Sequence, residues 1–266
     1  MTDTQQWDIS LDQAEAYEAY FVPAIFAQWP EQVCDVAEIQ SGEEVLDIGC
    51  GTGILARTVA ERVAPRGSVA AIDLNGSMLQ VARRLNPNIL WRQNDASDLP
   101  FSDDRFDVVV SQFAFMFVSD KPAAMAEIKR VLRPGGRIAI AVWAPLERSR
   151  AYVHLVESLQ KHAGEEAAER LRSPFKLGDP DRLRAMFGQA AFRNIKIQLK
   201  KGTARFPSID EFVDIEIKQS SINELVSEDQ YERIEDDARR LLEPFKQDSG
   251  EIVIPLDANI AVAIYN

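Results

Sequence analysis

The sequence predicts an α/β protein: a mostly parallel sheet with helices on both faces, a terminal antiparallel strand pair and a helical cap. Two observations carry this. Between residues 43 and 143, short β-rich runs alternate with helical segments, the pattern of parallel strands joined by right-handed crossovers. Several of the runs, such as Asp107-Val108-Val109-Val110 and Ile138-Ala139-Ile140-Ala141-Val142, are almost continuously apolar, as strands covered on both faces are.

The elements follow in order. Residues 1–40 read as helical, with Tyr17, Tyr20, Phe21, Ile25 and Phe26 at helical spacing around a kink or break at Pro23. Strands are expected at Glu44–Ile48, Ser68–Asp73, Ile89–Gln93, Phe106–Ser111 and Arg137–Trp143, and helices at Ile54–Val63, Ser77–Leu85 and Ala123–Leu132. Residues 147–172 are helical and charged. Asp179-Pro180-Asp181 then places an N-cap before a proline at the first helical position, opening a helix to about Gln189. Phe192–Phe206 alternates as a strand, Pro207-Ser208 starts a helical stretch to about residue 246, and Glu251–Ile254 and Ala258–Tyr265 are β-rich again. The chain is thus expected to comprise a helical lid at 1–42, a ligand-binding core at 43–146, a cap over the substrate site at 147–178 and 207–247, and a helix and strands at 179–206 and 248–266 that complete the sheet.

Charge narrows the partners. Thirty Lys and Arg against 42 Asp and Glu give a formal charge of −12, a net field that repels phosphate backbones and anionic lipid, so no nucleic-acid partner is expected. No apolar run is long enough to span a bilayer, and Met1–Gln6 has neither a basic start nor an apolar stretch, so a cytoplasmic protein is expected. Cys34 and Cys50 lack metal-ligand spacing and read as two reduced thiols; no metal is expected. Oligomeric state has no signal in the sequence.

The most informative stretch is Val45-Leu46-Asp47-Ile48-Gly49-Cys50-Gly51-Thr52-Gly53: a buried strand, three glycines at alternate positions, then a helix from Ile54. Glycines let the backbone turn tightly and a ligand approach it, and the helix behind presents free N–H groups. A dinucleotide loop would read G-x-G-x-x-G; here the spacing is G-x-G-x-G, which argues against a nicotinamide oxidoreductase. Asp47, two positions before the first glycine, would repel a pyrophosphate and attract the ammonium group of an amino-acid-bearing ligand.

With this loop, four further segments in order resemble the class I S-adenosylmethionine-dependent methyltransferases, above all the group that includes the ubiquinone- and menaquinone-biosynthesis enzymes. They are Ala71-Ile72-Asp73-Leu74-Asn75, Asn94-Asp95-Ala96-Ser97-Asp98-Leu99-Pro100-Phe101, Phe106-Asp107-Val108-Val109-Val110-Ser111-Gln112-Phe113 and Leu132-Arg133-Pro134-Gly135-Gly136-Arg137. The resemblance implies a Rossmann-like fold with a seven-stranded sheet, S-adenosyl-L-methionine as cofactor and S-adenosyl-L-homocysteine as product. Residue by residue, it implies that Asp73 accepts the ribose hydroxyls and that Asp95 and the Ala96 N–H read the adenine edge. Leu74 and Met78 would pack on the adenine faces. Gly49, Cys50, Gly51, Thr52 and Gly53 would line the loop, Asp47 would act on the amino group, and Ser111 to Phe113 would form the wall near the sulfonium.

The acceptor site is expected above the carboxyl ends of the strands. Phe115 and Phe117 after the fourth strand, Trp143 at the end of the fifth, and Tyr20 and Phe21 on the N-terminal helix suggest a small apolar or ring-bearing molecule, methylated on oxygen or carbon without a metal. Each of these aromatics also has a plain reading as packing between cap and sheet. His154 is the candidate base if the acceptor must lose a proton; a surface position on a charged helix is its plain alternative. No N-P-P-Y-like signature follows the fourth strand, where Ser111-Gln112-Phe113-Ala114 stands, which removes the usual signal for methylating adenine or glutamine amides. The alternative function is an S-adenosylmethionine-binding protein of the same fold that carries out another reaction or regulatory binding.

Overall fold

The computed structural model describes residues 9–265; Asn266 and residues 1–8, with the stretch Met1–Gln6 discussed above and the start of the expected lid, lie outside the described residues. A capping box opens the first helix: the Ser10 hydroxyl accepts the Gln13 N–H (3.3 Å) and the Gln13 side chain accepts the Ser10 N–H (2.8 Å). Helix α1 (Leu11–Ala16) widens without interruption into a π-helical segment, Tyr17–Phe26, and α2 (Pro30–Val36) follows. Of the kink or break expected at Pro23, the break is absent: the helical segment runs through it. Proline has no N–H to give an α-helical turn, and the wider i→i+5 winding carries past it, with the Ala27 N–H on the Val22 carbonyl at 2.8 Å. The chain turns instead at residues 27–29, where Trp29 is fully buried.

The alternating region then runs β1 (Glu44–Ile48), α3 (Ile54–Val63), β2 (Ser68–Asp73), α4 (Gly76–Leu85), β3 (Leu90–Gln93), β4 (Phe106–Gln112), α5 (Lys121–Val131) and β5 (Leu132–Trp143). Beyond it come α6 (Arg150–Ala163), α7 (Glu165–Arg172), α8 (Pro180–Gln189), β6 (Arg193–Lys200), β7 (Thr203–Phe206), α9 (Ile209–Ile217), α10 (Glu228–Leu241), β8 (Ile252–Pro255) and β9 (Ala258–Ile264). Strand β5 starts earlier than the expected Arg137. Leu132 already pairs with Phe106, and the register then jumps so that Arg137 pairs with Val108, an irregularity in which residues 133–136 face Asp107 alone.

The large sheet has the order β3-β2-β1-β4-β5-β9-β6, and neighbours from β3 to β5 pair in parallel. Backbone bonds of Gly135 and Gly136 with Tyr265 join the start of β5 to the end of β9, which therefore run antiparallel. Strand order reverses between β1 and β4, so a crevice opens where their carboxyl ends diverge, the usual place for a ligand in such sheets.

The residues group into two compact units. The first holds the described residues up to Val142, Pro180–Leu199 and those from Asn259. Its core is the covered sheet: Leu46, Ile48, Ile72 and Phe106 are at most 2% exposed, each burial contributing about 1.5–3 kcal/mol.

The second unit holds Trp143–Asp179 and Lys200–Ala258. In it α6 packs on α7 and α10, and β7 pairs antiparallel with β8, from Thr203↔Pro255 to Phe206↔Ile252. The run Phe192–Phe206, expected as one strand, is therefore two. The alternation of side chains continues across Lys201-Gly202, but the Gly202 carbonyl accepts the Leu256 N–H (2.9 Å) and the chain changes sheet there, which a period of two does not reveal. The region 147–172, expected to be helical, holds α6 and α7, which meet at Gly164 (φ +95°). Tyr152, Phe175, Phe206 and Phe212 form the unit's aromatic centre, with ring centroids 5.1–5.3 Å apart. Lys161, His162 and Arg240 all donate to Asp237 and hold its carboxyl well below the usual range. Among the described residues, no helix is long and apolar enough to cross a membrane.

Candidate functional site

The loop after β1 is built by its own backbone. The Gly49 and Cys50 N–H groups both donate to the Ile72 carbonyl (2.8 and 2.9 Å), folding the loop back toward β2 before α3 begins at Ile54. Two glycines are sterically required. A Cβ on Gly49 (φ +67°) would lie 2.3 Å from the Ala114 Cβ, and one on Gly53 (φ +89°) would lie 2.4 Å from the Trp91 ring.

Strand β1 delivers Asp47 beneath this loop, only 1% exposed. Neither of its carboxylate oxygens has a hydrogen-bonding partner, and the Oγ1 of Thr52, also 1% exposed, has none. Burial, reinforced by the charge of Asp73, pushes the Asp47 carboxyl up to about 8; the nearby Ala56 N–H opposes the shift only in part. A buried acid of this kind is incomplete without a donor or cation, since unmatched buried polar atoms cost free energy.

Asp73 ends β2. Its Oδ2 accepts the Gly51 N–H and its Oδ1 the Asn75 N–H, both at 2.8 Å. Burial raises its carboxyl and these donors work against the rise. Asp73 does not cap the next helix: Asn75 is the N-cap of α4, its Oδ1 accepting from Ser77 and Met78 (2.8 and 3.0 Å). Asp73 is thereby left to tie the first two loops together.

The other residues expected to bind the cofactor gather around these two. Leu74 is 47% exposed and Met78 half-buried. The Asn94 N–H donates to the Asp73 carbonyl (3.1 Å), bringing the third loop alongside; there Ala96 is buried and the Asp95 Oδ1 accepts both the N–H and the hydroxyl of Ser97 (2.7 and 2.6 Å). Ser111 is buried and donates to the Ile48 carbonyl (2.8 Å), pinning the exit of β4 to that of β1. Phe113 adopts φ +54°, with its ring 5.8 Å from Phe26 and 5.4 Å from Trp29.

Two neighbours escaped the sequence reading as site residues. Tyr17 puts its Cε1 3.9 Å from the point where a Gly51 Cβ would stand, and its ring lies 5.5 Å from that of Phe26. Burial and the Asp73 charge push its phenol well up. Glu18, next to it, pairs with Arg57 at 2.8 Å. Helical spacing identified Tyr17 only as an apolar position, because nothing in it reveals π winding. Gln112, inside the wall expected near the sulfonium, has its Oε1 buried without a partner.

The expected acceptor residues are dispersed. Tyr20 is 69% exposed, Phe21 stacks on Tyr17 (5.7 Å, 17°), Phe115 is fully buried and Phe117 half-buried. Trp143 and His154 belong to the second unit, His154 half-buried with its Nδ1 3.5 Å from the Glu157 carboxylate. Also in that unit, the Tyr152 hydroxyl donates to the Glu216 Oε1 at 2.6 Å, and burial pushes the Glu216 carboxyl up to about 7.

The grouping fits a ligand with a cationic amino-acid end and a hydroxyl-bearing ring. Asp47 and Thr52 offer unmatched acceptors to the first, the Asp73 carboxylate suits the second, and exposed Leu74 offers an apolar face to a flat base. Among the described residues there is no cluster of three or more His, Cys, Asp or Glu that could hold a metal ion.

A family model described as a methyltransferase domain matches residues 46–140. The chain is 40% identical over 120 residues to a ubiquinone/menaquinone biosynthesis C-methyltransferase, UbiE, of Cupriavidus metallidurans, covering 42% of this chain and 49% of that protein. It is 31% identical over 169 residues to the UbiE protein of Psychromonas ingrahamii, covering 52% of this chain and 67% of the relative. The chain thus spans about half the length of the first relative and two thirds of the second. Among solved structures, the YcgJ protein of Bacillus subtilis superposes with a TM-score of 0.60 at 22% identity, covering 89% of this chain and 97% of that one. With the ordered loops described above, these matches place the chain: it belongs to the class I S-adenosylmethionine-dependent methyltransferases, in their ubiquinone/menaquinone-biosynthesis-type group.

Proposed function

We propose that this protein binds S-adenosyl-L-methionine and transfers its methyl group to a small apolar or ring-bearing molecule, on carbon or oxygen, leaving S-adenosyl-L-homocysteine. The observation that carries the reading is the Asp47 carboxylate, buried and unpartnered under a glycine loop that Asp73 ties to the end of β2. Asp47 and Thr52 hold the amino-acid end of the cofactor, Asp73 the ribose hydroxyls, Leu74 and Met78 the adenine faces, and Asp95 with the Ala96 N–H its edge. Gly49, Cys50, Gly51 and Gly53 supply a surface without obstructing side chains, and Ser111 and Phe113 flank the reacting end. When bound, the cofactor supplies an electrophilic methyl group on a positively charged sulfur. The protein's own part is positioning and the exclusion of water, which account for much of the rate in such a displacement. Within the first unit, Tyr20, Phe21 and Phe117, none of them fully buried, favour an apolar acceptor. Because the relatives are named as quinone-pathway C-methyltransferases, a ring carbon of a quinone-type molecule is the first acceptor class to test.

Calorimetry with S-adenosylhomocysteine and methyl incorporation into a panel of quinols, phenols and amines test this reading. Micromolar-range binding and methylation of a ring-bearing acceptor are expected. No binding by the folded protein would remove the proposal, and binding without methylation of any acceptor would leave the alternative of a cofactor-binding protein with another role.

A further inference from the structure

Arg57 on α3 makes two bonds at once. Its Nη1 donates to the Thr52 carbonyl in the glycine loop (2.6 Å), and its Nη2 donates to the Glu18 Oε1 in the π-helical segment (2.8 Å). Both side chains are about four-fifths buried, with exposures of 20% and 22%. The second carboxylate oxygen of Glu18, Oε2, is buried and has no partner. Arg57 is therefore the cation that compensates this carboxylate, and the same guanidinium holds the loop. Around this bridge the segment also lies against the cofactor loops through Tyr17 at Gly51 and Phe26 at Phe113, and α1 is tied to α4 by Glu15 and Arg84 (2.6 Å).

We propose that Glu18 and Arg57 form a latch that makes closure of the Tyr17–Phe26 segment and ordering of the glycine loop a single event, so that cofactor enters and leaves only when this ion pair opens. Glu18 and Arg57 are positioning residues: they act on the cofactor through Tyr17 and through the loop backbone. The inference rests on the cofactor-binding reading above. Its energetics are asymmetric. Losing Glu18 leaves Arg57 still bonded to the Thr52 carbonyl, whereas losing Arg57 leaves a buried carboxylate with no compensating charge. A variant lacking both therefore avoids the worst state.

The test compares the full-length protein with E18Q, R57M and the double variant E18Q/R57M. Hydrogen exchange without ligand reads the segments 11–26 and 49–57, and stopped-flow measurements read the dissociation of S-adenosylhomocysteine. R57M is expected to lose protection in both segments together and to release S-adenosylhomocysteine about tenfold faster, with KM for the cofactor rising more than kcat falls. E18Q is expected to show the same changes more weakly, and the double variant to lie between E18Q and R57M. A role confined to stability would lower the melting temperature without changing the dissociation rate. Unchanged exchange at 11–26 in R57M, loss of protection in only one segment, or a double variant worse than R57M would overturn the latch. R57K covers the case in which R57M does not fold: a lysine cannot make both bonds of the guanidinium fork, so it should uncouple the two segments, and coupled protection in R57K would equally count against the proposal. If wild-type protein fails to bind S-adenosylhomocysteine, the functional reading falls while the exchange comparison still decides whether the latch exists.

Discussion

Replacing Asp47 by Asn should stabilise the ligand-free protein at alkaline pH and weaken cofactor binding. The carboxyl lies 1% exposed with both oxygens unpartnered, and burial together with the Asp73 charge moves it from an ordinary value near 3.8 up to about 8. A folded-state value above the unfolded one gives stability that is fully present below pH 3.8 and is lost as pH rises through about 8. Over that window wild-type protein loses up to about 1.4 kcal/mol per pH unit from this group. Relaxation around the ionised group reduces the total, and a difference of about 3 kcal/mol between wild type and Asp47→Asn at pH 8 is expected. Asparagine fills the same space and has no proton to lose. Urea unfolding of both proteins between pH 4.5 and 8.5 measures the difference. The curves should converge at the acid end and separate toward pH 8, with Asp47→Asn the more stable. In calorimetry the same substitution should weaken S-adenosylhomocysteine binding by about tenfold or more, since a neutral amide no longer meets an ammonium group. Parallel pH curves, or a variant less stable than wild type at pH 8, would refute the reasoning that Asp47 is held unmatched for a cation.

Asp73→Asn should weaken cofactor binding by about 2 kcal/mol, because charge-assisted acceptors become neutral ones; calorimetry at pH 7.5 measures this. Gly49→Ala should destabilise the fold by about 2–4 kcal/mol in urea unfolding, given a Cβ 2.3 Å from that of Ala114 and a left-handed backbone at φ +67°. Glu216→Gln should flatten the pH dependence of stability between about pH 4.5 and 7. Burial pushes Glu216 up to about 7, so its contribution is present below the ordinary carboxyl value and is lost as pH rises through about 7.

The central elements were legible because local chemistry and tertiary role agree in them. Strands Glu44–Ile48 and Ser68–Asp73 and helix Ile54–Val63 fall where apolar runs and loop glycines place them, and Pro180 opens α8 as its position after Asp179 implies. The large sheet and its parallel pairing follow from the same alternation. The features that escaped depend on information absent from local pattern. Side-chain alternation cannot show that Gly202 sends β7 to a different sheet from β6. Helical periodicity cannot distinguish α from π winding, so it does not reveal that Tyr17 lies at the glycine loop or that Glu18 reaches it through Arg57. The spacing of Asp47 to Gly49 marks it as a site residue, but its deep burial with both oxygens lacking a hydrogen-bonding partner is a property of the folded surroundings.

The π-helical winding also makes this part of the chain sensitive to its own length. Tyr17 and Phe26 are nine residues apart, about two and a half turns of an α-helix, which would set them on opposite faces. In the wider winding both rings share a face at 5.5 Å, and Phe26 reaches on to Phe113. A single deletion that let the segment relax to an α-helix would rotate Phe26 away from its partners while leaving composition and helix propensity almost unchanged. Homologous chains that keep this aromatic relay should therefore conserve the residue count between its first and last rings more strictly than the identity of the residues between them.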